Sequence, residues 1–309
     1  MQIPYSKPTL SFREQISLLQ SRGLIIEDEK YALNCLSHIN YYRLSAYIYP
    51  FLLDNEDHTY KEKHIFKENV TFQNVIDIYN FDRELRLLLL DAIERIEVSI
   101  RTNIIYVLSQ KHGPFWLIKK ELFFNQDNYQ SHFERLTEEI KRSDEIFIKH
   151  YFSKYSENIP PAWMTLEITS FGLLSLFYQN LNSTKDRKEI SARYGLNQVV
   201  FTSWVHSIVY IRNVCAHHAR IWNRELRVQP AFPKSIGALW LKNSDEIKND
   251  RVFMIISIII YFLSVINNEN DFKQKLFDLL AKYPMVDLAP MGFPLNWKDE
   301  TLFEIPPSA

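Results

Sequence analysis

Residues 71–108 constrain the fold more than any other stretch of the sequence. Apolar residues recur there at spacings of three and four, the period of an α-helix with one buried side. They are Ile78, Phe81, Leu85, Leu88, Leu89, Ala92, Ile93, Ile96, Ile100, Ile104 and Val107. Opposite them lie Asp82, Arg83, Arg86, Glu94, Glu97 and Arg101. Gly113 and Pro114 end the pattern, so this stretch predicts one long amphipathic helix.

The rest of the chain favours the same kind of structure. Only 6 of the 309 residues are glycine, against an average of roughly 7%, and tight turns and hairpins depend on glycine. No strand alternation, internal repeat or low-complexity tract interrupts the helical pattern. Further helices are predicted at 11–22, 28–51, 128–142, 144–155, 163–181, 186–194, 198–226, 252–266 and 272–283. We therefore expect an all-α protein with an N-terminal helical extension (1–65), a helical core (66–283) and an extended, proline-rich C-terminal tail on the surface (284–309).

Charge, cysteine content and hydropathy limit the function. The net charge of −1 means that any contact with RNA must come from a local basic patch. Cys35 and Cys215 lie in apolar helical contexts and are predicted to be buried free thiols in a reducing cytosol. The N-terminus has no secretory pattern. The apolar run 252–266 is shorter than the roughly 20 residues that cross a bilayer. We expect a cytoplasmic protein without a membrane role, although a membrane-damaging toxin based on this run is a weaker alternative.

The chemistry is concentrated in residues 204–228. On a continuous helix at about 100° per residue, Trp204, Ile208, Ile211, Cys215, His218 and Trp222 form an apolar stripe. His206, Asn213, His217, Arg220 and Arg224 fall on the opposite side, flanked by Arg212 and Asn223. His218 is therefore expected to be a packed, structural residue, whereas His217 shares a cationic face that suits a phosphate.

Such a face could cleave RNA without a metal. An imidazole can exchange a proton with a ribose 2′-hydroxyl or a leaving 5′-oxygen, and arginine can hold the phosphoryl oxygens as charge develops on them. A solvated basic surface, or a helical module that binds RNA without cutting it, is the alternative. A metal site at the adjacent His217 and His218 is disfavoured, because helical metal ligands usually stand four residues apart.

Two other clusters have simpler interpretations. Glu94 and Glu97 are predicted to form helical ion pairs with Arg95 or Arg101 rather than a pair of catalytic carboxylates. The aromatic-rich group His38, Tyr41, Tyr42 and Arg43 is predicted to pack in the core, with a base-stacking surface as the alternative.

The chain resembles a known family along nearly its whole length. Six stretches carry the resemblance to the Abi-like family of bacterial abortive-infection proteins: 38–47 (HINYYRLSAY), 81–86 (FDRELR), 92–97 (AIERIE), 161–164 (PAWM), 212–224 (RNVCAHHARIWNR) and 291–297 (MGFPLNW). Arg212, Asn213 and His217 also resemble the Arg-x4–6-His signature of HEPN ribonucleases. This resemblance implies a HEPN-like helical bundle, an endoribonuclease toxin of phage defence, and catalytic roles for Arg212 and His217.

The resemblance also implies how the site is assembled. In HEPN ribonucleases, which this chain resembles, two motifs face each other to form one active site. This chain carries one such motif. A symmetric homodimer is therefore expected, in which Asn213, His218, Arg220, Asn223, Arg224 and His206 support catalysis or bind RNA. No cofactor or metal is expected. The partners implied are an RNA substrate and either an antitoxin or a regulatory non-coding RNA that restrains the enzyme.

Overall fold

The computed structural model describes residues 4, 8–54, 63–234, 236, 240–242, 247–267 and 269–304. Over these ranges the all-α prediction is confirmed, since they contain helices and isolated β-bridges but no strand. The α-helices are α1 (Phe12–Ser21), α2 (Glu29–His38), α3 (Tyr41–Ile48), α4 (Phe72–His112), α5 (Gln126–Arg142), α6 (Ile146–Lys154), α7 (Ala162–Thr165), α8 (Phe171–Gln179), α9 (Thr184–Ala192), α10 (Gln198–Ala216), α11 (Val252–Ile266) and α12 (Phe272–Lys282).

The contacts divide the chain into two compact units. The first comprises Met1–Leu85 and Leu279–Val286, and the second comprises Arg86–Asp278 and Asp287–Ala309. The long helix α4 begins in the first unit and continues in the second. Its predicted apolar stripe is confirmed, because every member except the half-buried Leu88 is buried.

In the first unit, side-chain caps fix where each helix begins. The Ser11-x-x-Glu14 spacing is typical of a capping box, and the structure has one at the start of α1: the Ser11 amide donates to the Glu14 carboxylate at 2.7 Å, and the Glu14 amide donates to Ser11 Oγ at 3.3 Å. The predicted helix 28–51 is broken in two. Ile39 is extended, and Asn40 Oδ1 accepts the Tyr42 amide at 2.8 Å to begin α3. A capping asparagine competes with helix continuation in this way.

The second unit is built around the apolar helix α11. The predicted helix 252–266 is confirmed, and all of its residues from Val252 to Leu263 are buried. Helix α10 packs against α8, α9 and α11, and α5 packs against α8. The predicted helix 163–181 is interrupted, because Ser170 Oγ accepts the Leu173 amide and starts α8 afresh.

Buried charges on α4 and α9 are paired in the second unit. Arg101 donates to the carbonyl oxygens of Leu166 and Thr169 and forms an ion pair with Glu97. The prediction that Glu97 forms a helical ion pair is confirmed. Asp186, in the first turn of α9, accepts hydrogen bonds from Lys111 Nζ and His112 Nε2, both at 2.8 Å. These bonds tie the end of α4 to the start of α9.

The C-terminal segment differs from the expected extended tail. Residues 289–303 contain three short 3₁₀ helices, and Met291, Phe293, Trp297, Leu302 and Phe303 are buried. Phe253 of α11 stacks on Phe303 with ring centroids 5.2 Å apart. The prolines stop α-helix formation, but the aromatic residues between them pack onto α11. The part of the expected tail at 305–309 lies outside the described residues.

Candidate functional site

Helix α10 positions the first half of the predicted site. The Asn197 side chain accepts the Val199 and Val200 amides at 3.0 Å and starts the helix. The predicted apolar stripe is confirmed on this helix: Trp204, Ile208, Ile211 and Cys215 are buried. Cys35 and Cys215 are buried free thiols, as predicted.

The helix ends ten residues before the predicted boundary at 226. The last helical residue is Ala216, and His217 is the C-cap. The His218 amide donates to the Cys215 carbonyl and the Ala219 amide to the Val214 carbonyl, both at 3.0 Å. His218 itself is left-handed, with φ of 56°. This pair of bonds around a left-handed residue is a Schellman motif.

Tertiary packing explains why the chain turns here without a glycine. Ile221, Trp222 and Leu226 are buried beyond the turn, and the Leu226 amide donates to the Asp250 carbonyl at 2.8 Å. The turn therefore brings these apolar side chains back into the core. Burying three large side chains stabilises the fold by several kcal/mol, roughly 1.5–3 kcal/mol each. This exceeds the cost of one left-handed non-glycine residue, which is on the order of 1–3 kcal/mol.

The turn changes where several predicted residues lie. His218 is exposed, so its expected place in the packed apolar stripe is wrong. Arg220 and Arg224 are half-buried in the loop rather than on a helix face, and Arg224 Nε donates to the Arg220 carbonyl at 2.7 Å. Asn223 is left-handed, with φ of 47°, and half-buried.

The four remaining site residues lie on α10 and at its C-cap. His206, Arg212, Asn213 and His217 are all exposed. Asn213 and His217 stand four residues apart, so they share a face, whereas Arg212 and His217 are about 140° apart around the helix. Arg212 Nη1 lies 3.4 Å from Asn213 Oδ1, within hydrogen-bonding distance. Asn213 therefore draws the guanidinium towards the side of the helix that carries His217.

The segment is locally basic although the whole chain is nearly neutral. Residues 199–228 contain four arginines, Arg212, Arg220, Arg224 and Arg227, and a single acidic residue, Glu225. The segment therefore carries a local excess of positive charge that the net charge of the whole chain does not reveal.

Tyr210, which no sequence motif singles out, lies three residues before Asn213 on α10. Tyr210 is partly exposed, but its hydroxyl group is buried and has no hydrogen-bond partner within the described part of the chain. The helical spacing alone could have placed Tyr210 beside Asn213, since residues three apart are neighbours on a helix.

A second missed feature is a cavity beside the loop. A cavity of about 310 Å³ is lined by Asn223, Lys248, Arg251, Ala289, Pro290, Gly292, Phe293 and Pro294. No sequence signal connects Lys248 and Arg251 with Asn223, because the fold brings together three separate segments.

The aromatic group at 38–43 is not a core cluster. His38 is exposed and Tyr42 is 86% exposed, so the core-packing prediction is wrong for both. Tyr41 and Arg43 are half-buried, and Tyr41 accepts a hydrogen bond from Arg22 Nη1 at 3.0 Å. Helix α3 buries Leu44, Tyr47 and Ile48 instead, which turns Tyr42 outward.

Across the described ranges, no helix is both long enough and apolar enough to cross a membrane. In the same part of the chain, no three side chains from His, Cys, Asp and Glu come together as a metal site requires.

Comparison with protein families assigns the chain to a family. An all-α protein with an exposed Arg-Asn-x3-His segment is the class that the fold and the site define. The model of the Abi-like protein family matches residues 34–223, more than half of the chain and a range that includes Arg212 and His217. The protein therefore belongs to the Abi-like family, and this membership points to a role in abortive infection. No curated protein and no solved structure gives a significant match.

Proposed function

We propose that the protein is a metal-independent endoribonuclease of the HEPN type, with Arg212 and His217 as its catalytic residues. The observation that carries the proposal is the exposure of Arg212, Asn213 and His217 at the end of a helix whose opposite side is buried in the core. The core does not require these three polar side chains. They lie within the match to the Abi-like family and within the basic segment 199–228.

The reaction is transesterification within the RNA strand. A neutral His217 accepts the proton of a ribose 2′-hydroxyl, and the resulting 2′-oxygen attacks the adjacent phosphorus. The bond from phosphorus to the 5′-oxygen breaks, and a protonated imidazole donates a proton to that oxygen. Arg212 stabilises the negative charge on the phosphoryl oxygens. The products are a 2′,3′-cyclic phosphate and a 5′-hydroxyl group.

Two imidazoles are needed, one in each protonation state, and a symmetric homodimer supplies them. His217 of each chain then serves as base or acid, and the two Arg212 side chains hold the phosphate from both sides. Asn213 orients Arg212, while Arg220, Arg224, His206 and His218 contact the RNA backbone. An unrestrained ribonuclease would damage its own cell, so we also propose an antitoxin or regulatory RNA as partner, and a cytoplasmic location.

The test compares His217→Ala with the wild type on labelled total RNA and transfer RNA in EDTA. The wild type should cut and leave cyclic-phosphate ends, and loss of the general base should lower the rate at least about 100-fold. His150→Ala is a matched control, because His150 is an exposed histidine on another helix, α6. This control should cut at the wild-type rate, and sedimentation should find both variants dimeric.

Cutting by His217→Ala at the wild-type rate would refute the catalytic assignment. RNA binding without any cutting by the wild type, after bound RNA has been stripped away, would identify a non-catalytic RNA-binding module instead.

A further inference from the structure

The cavity beside Asn223, a residue six positions after His217, has no role in the mechanism above. Its lining includes two basic side chains, Lys248 and Arg251, and the amide of Asn223, and none of its described lining residues is acidic. Its volume of about 310 Å³ is at the lower end of the range for small-ligand sites, roughly 300–1,000 Å³.

The fold holds the cavity walls firmly. Trp222 is buried next to Asn223, and the backbone bond from Leu226 to Asp250 fixes the loop against the segment that carries Lys248 and Arg251. On the other side, Gly292 has φ of 86°, and a Cβ atom there would lie 2.5 Å from Arg251 Cβ. The backbone of Gly292 therefore packs directly on the stem of Arg251.

The electrostatics of the cavity suit a phosphate. Arg251 is part-buried, with 24% of its side chain exposed, and its Nε lies 3.6 Å from Asp250 Oδ1. The contact engages Nε, and among the described residues no hydrogen bond to the terminal nitrogens of Arg251 is present. Lys248 is exposed and adds a second positive charge, and the N-terminus of α11 directly follows Arg251, contributing a favourable dipole.

The other walls suit a nucleoside. Pro290, Phe293 and Pro294 supply apolar surface for a ribose or a base, and the Asn223 amide can both donate to and accept from a base edge. Asn223 follows His217 by six residues, so the two Cα atoms are at most about 20 Å apart. A strand bound at His217 can therefore reach the cavity within a few nucleotides.

We propose that this cavity is a subsite for a nucleotide of the RNA strand, one that flanks the nucleotides being cut. Lys248 and Arg251 bind its phosphate, and Asn223 contacts its base. The subsite rests on the proposed function, because it takes RNA to be the substrate. Its consequence is that long strands bind better than short ones.

The test measures binding and cleavage separately. Binding of a fluorescent 2′-O-methyl RNA decamer, which lacks the free 2′-hydroxyl and resists cleavage, is measured by anisotropy over a range of salt concentrations. Lys248→Gln should weaken binding about fivefold, as for an exposed ion pair, and reduce the slope of log K against log salt by about 0.7. Asn223→Asp, which keeps a residue that tolerates φ > 0, should weaken binding further by repelling the phosphate.

A dinucleotide substrate and a matched control define the position of the subsite. Lys185→Gln is the control for the loss of one positive charge, because Lys185 is an exposed lysine on α9, outside the cavity. This variant should leave the salt dependence of decamer binding unchanged. In cleavage assays, Lys248→Gln should raise KM for the decamer while leaving kcat and the cleavage of a dinucleotide unchanged.

Each outcome bears on one proposal. An unchanged decamer affinity and salt slope in Lys248→Gln and Asn223→Asp would overturn the subsite, as would equal weakening for the dinucleotide and the decamer. Failure of the wild type to cut any RNA would overturn the proposed function, and the binding measurement would still decide whether the cavity holds the strand.

Discussion

Asp186 offers the sharpest test of what holds the second unit together. Its side chain is 5% exposed and accepts hydrogen bonds from Lys111 and His112 at 2.8 Å. Desolvation by burial on its own raises the pKa of Asp186. The hydrogen bonds from Lys111, His112 and Ser183 outweigh that effect, so the pKa lies below its usual value of 3.8.

Asp186→Asn keeps the shape of the side chain but removes its charge. A hydrogen bond to a charged group contributes about 1.5–3 kcal/mol when buried. Lys111 is 34% exposed and also pairs with Glu189 at 2.6 Å, so part of its interaction survives. We therefore expect the free energy of unfolding at pH 7 to fall by about 2–3 kcal/mol.

The pH dependence follows from the direction of the pKa shift. Because the folded-state pKa of Asp186 is lowered, its contribution is fully present above the unfolded-state pKa near 3.8. That contribution is lost as the pH falls through the lower folded-state pKa. The difference between wild type and Asp186→Asn should therefore be constant from pH 7 to about pH 5 and shrink below about pH 4.

Urea unfolding followed by circular dichroism at pH 7, 5, 4 and 3 measures these differences. Asp144→Asn is the control, because Asp144 also pairs with a lysine but is 95% exposed, and its removal should change stability little. The prediction is refuted if Asp186→Asn lowers the free energy of unfolding at pH 7 by no more than Asp144→Asn does. It is also refuted if the loss caused by Asp186→Asn is as large at pH 3 as at pH 7.

Two further predictions concern the stability of the second unit. Burial, together with nearby Arg135, lowers the pKa of His132 below 6.5, so folding opposes its protonation. The wild type should lose stability relative to His132→Leu as the pH falls below 6.5. The same difference in melting temperature between the two proteins at pH 7.5 and pH 5.5 would contradict this. Gly292→Ala should destabilise the fold by about 2 kcal/mol, because φ of 86° and contact with Arg251 both disfavour a Cβ atom. A urea unfolding midpoint equal to that of the wild type would refute this prediction.

Much of the helical architecture could be predicted because it depends on local patterns. The apolar period of α4, the capping box of α1 and the uniformly apolar α11 each lie within one continuous segment. The breaks in the helices were harder to predict. Asn40 and Ser170 act as caps only because the chain turns at those points, and the same residues are tolerated inside helices elsewhere.

The candidate site shows the same division between local pattern and tertiary structure. The sequence alone determined that α10 exists, that Trp204, Ile208 and Cys215 are buried, and that an arginine and a histidine stand near its end, since these depend on residues close together in the chain. Only the tertiary structure decided that the helix stops at Ala216. The burial of Trp222 outweighs the strain of a left-handed His218, and this balance depends on a core built from distant segments. The same packing brings Asn223 beside Lys248 and Arg251, because such proximity is set by the fold and not by spacing in the chain.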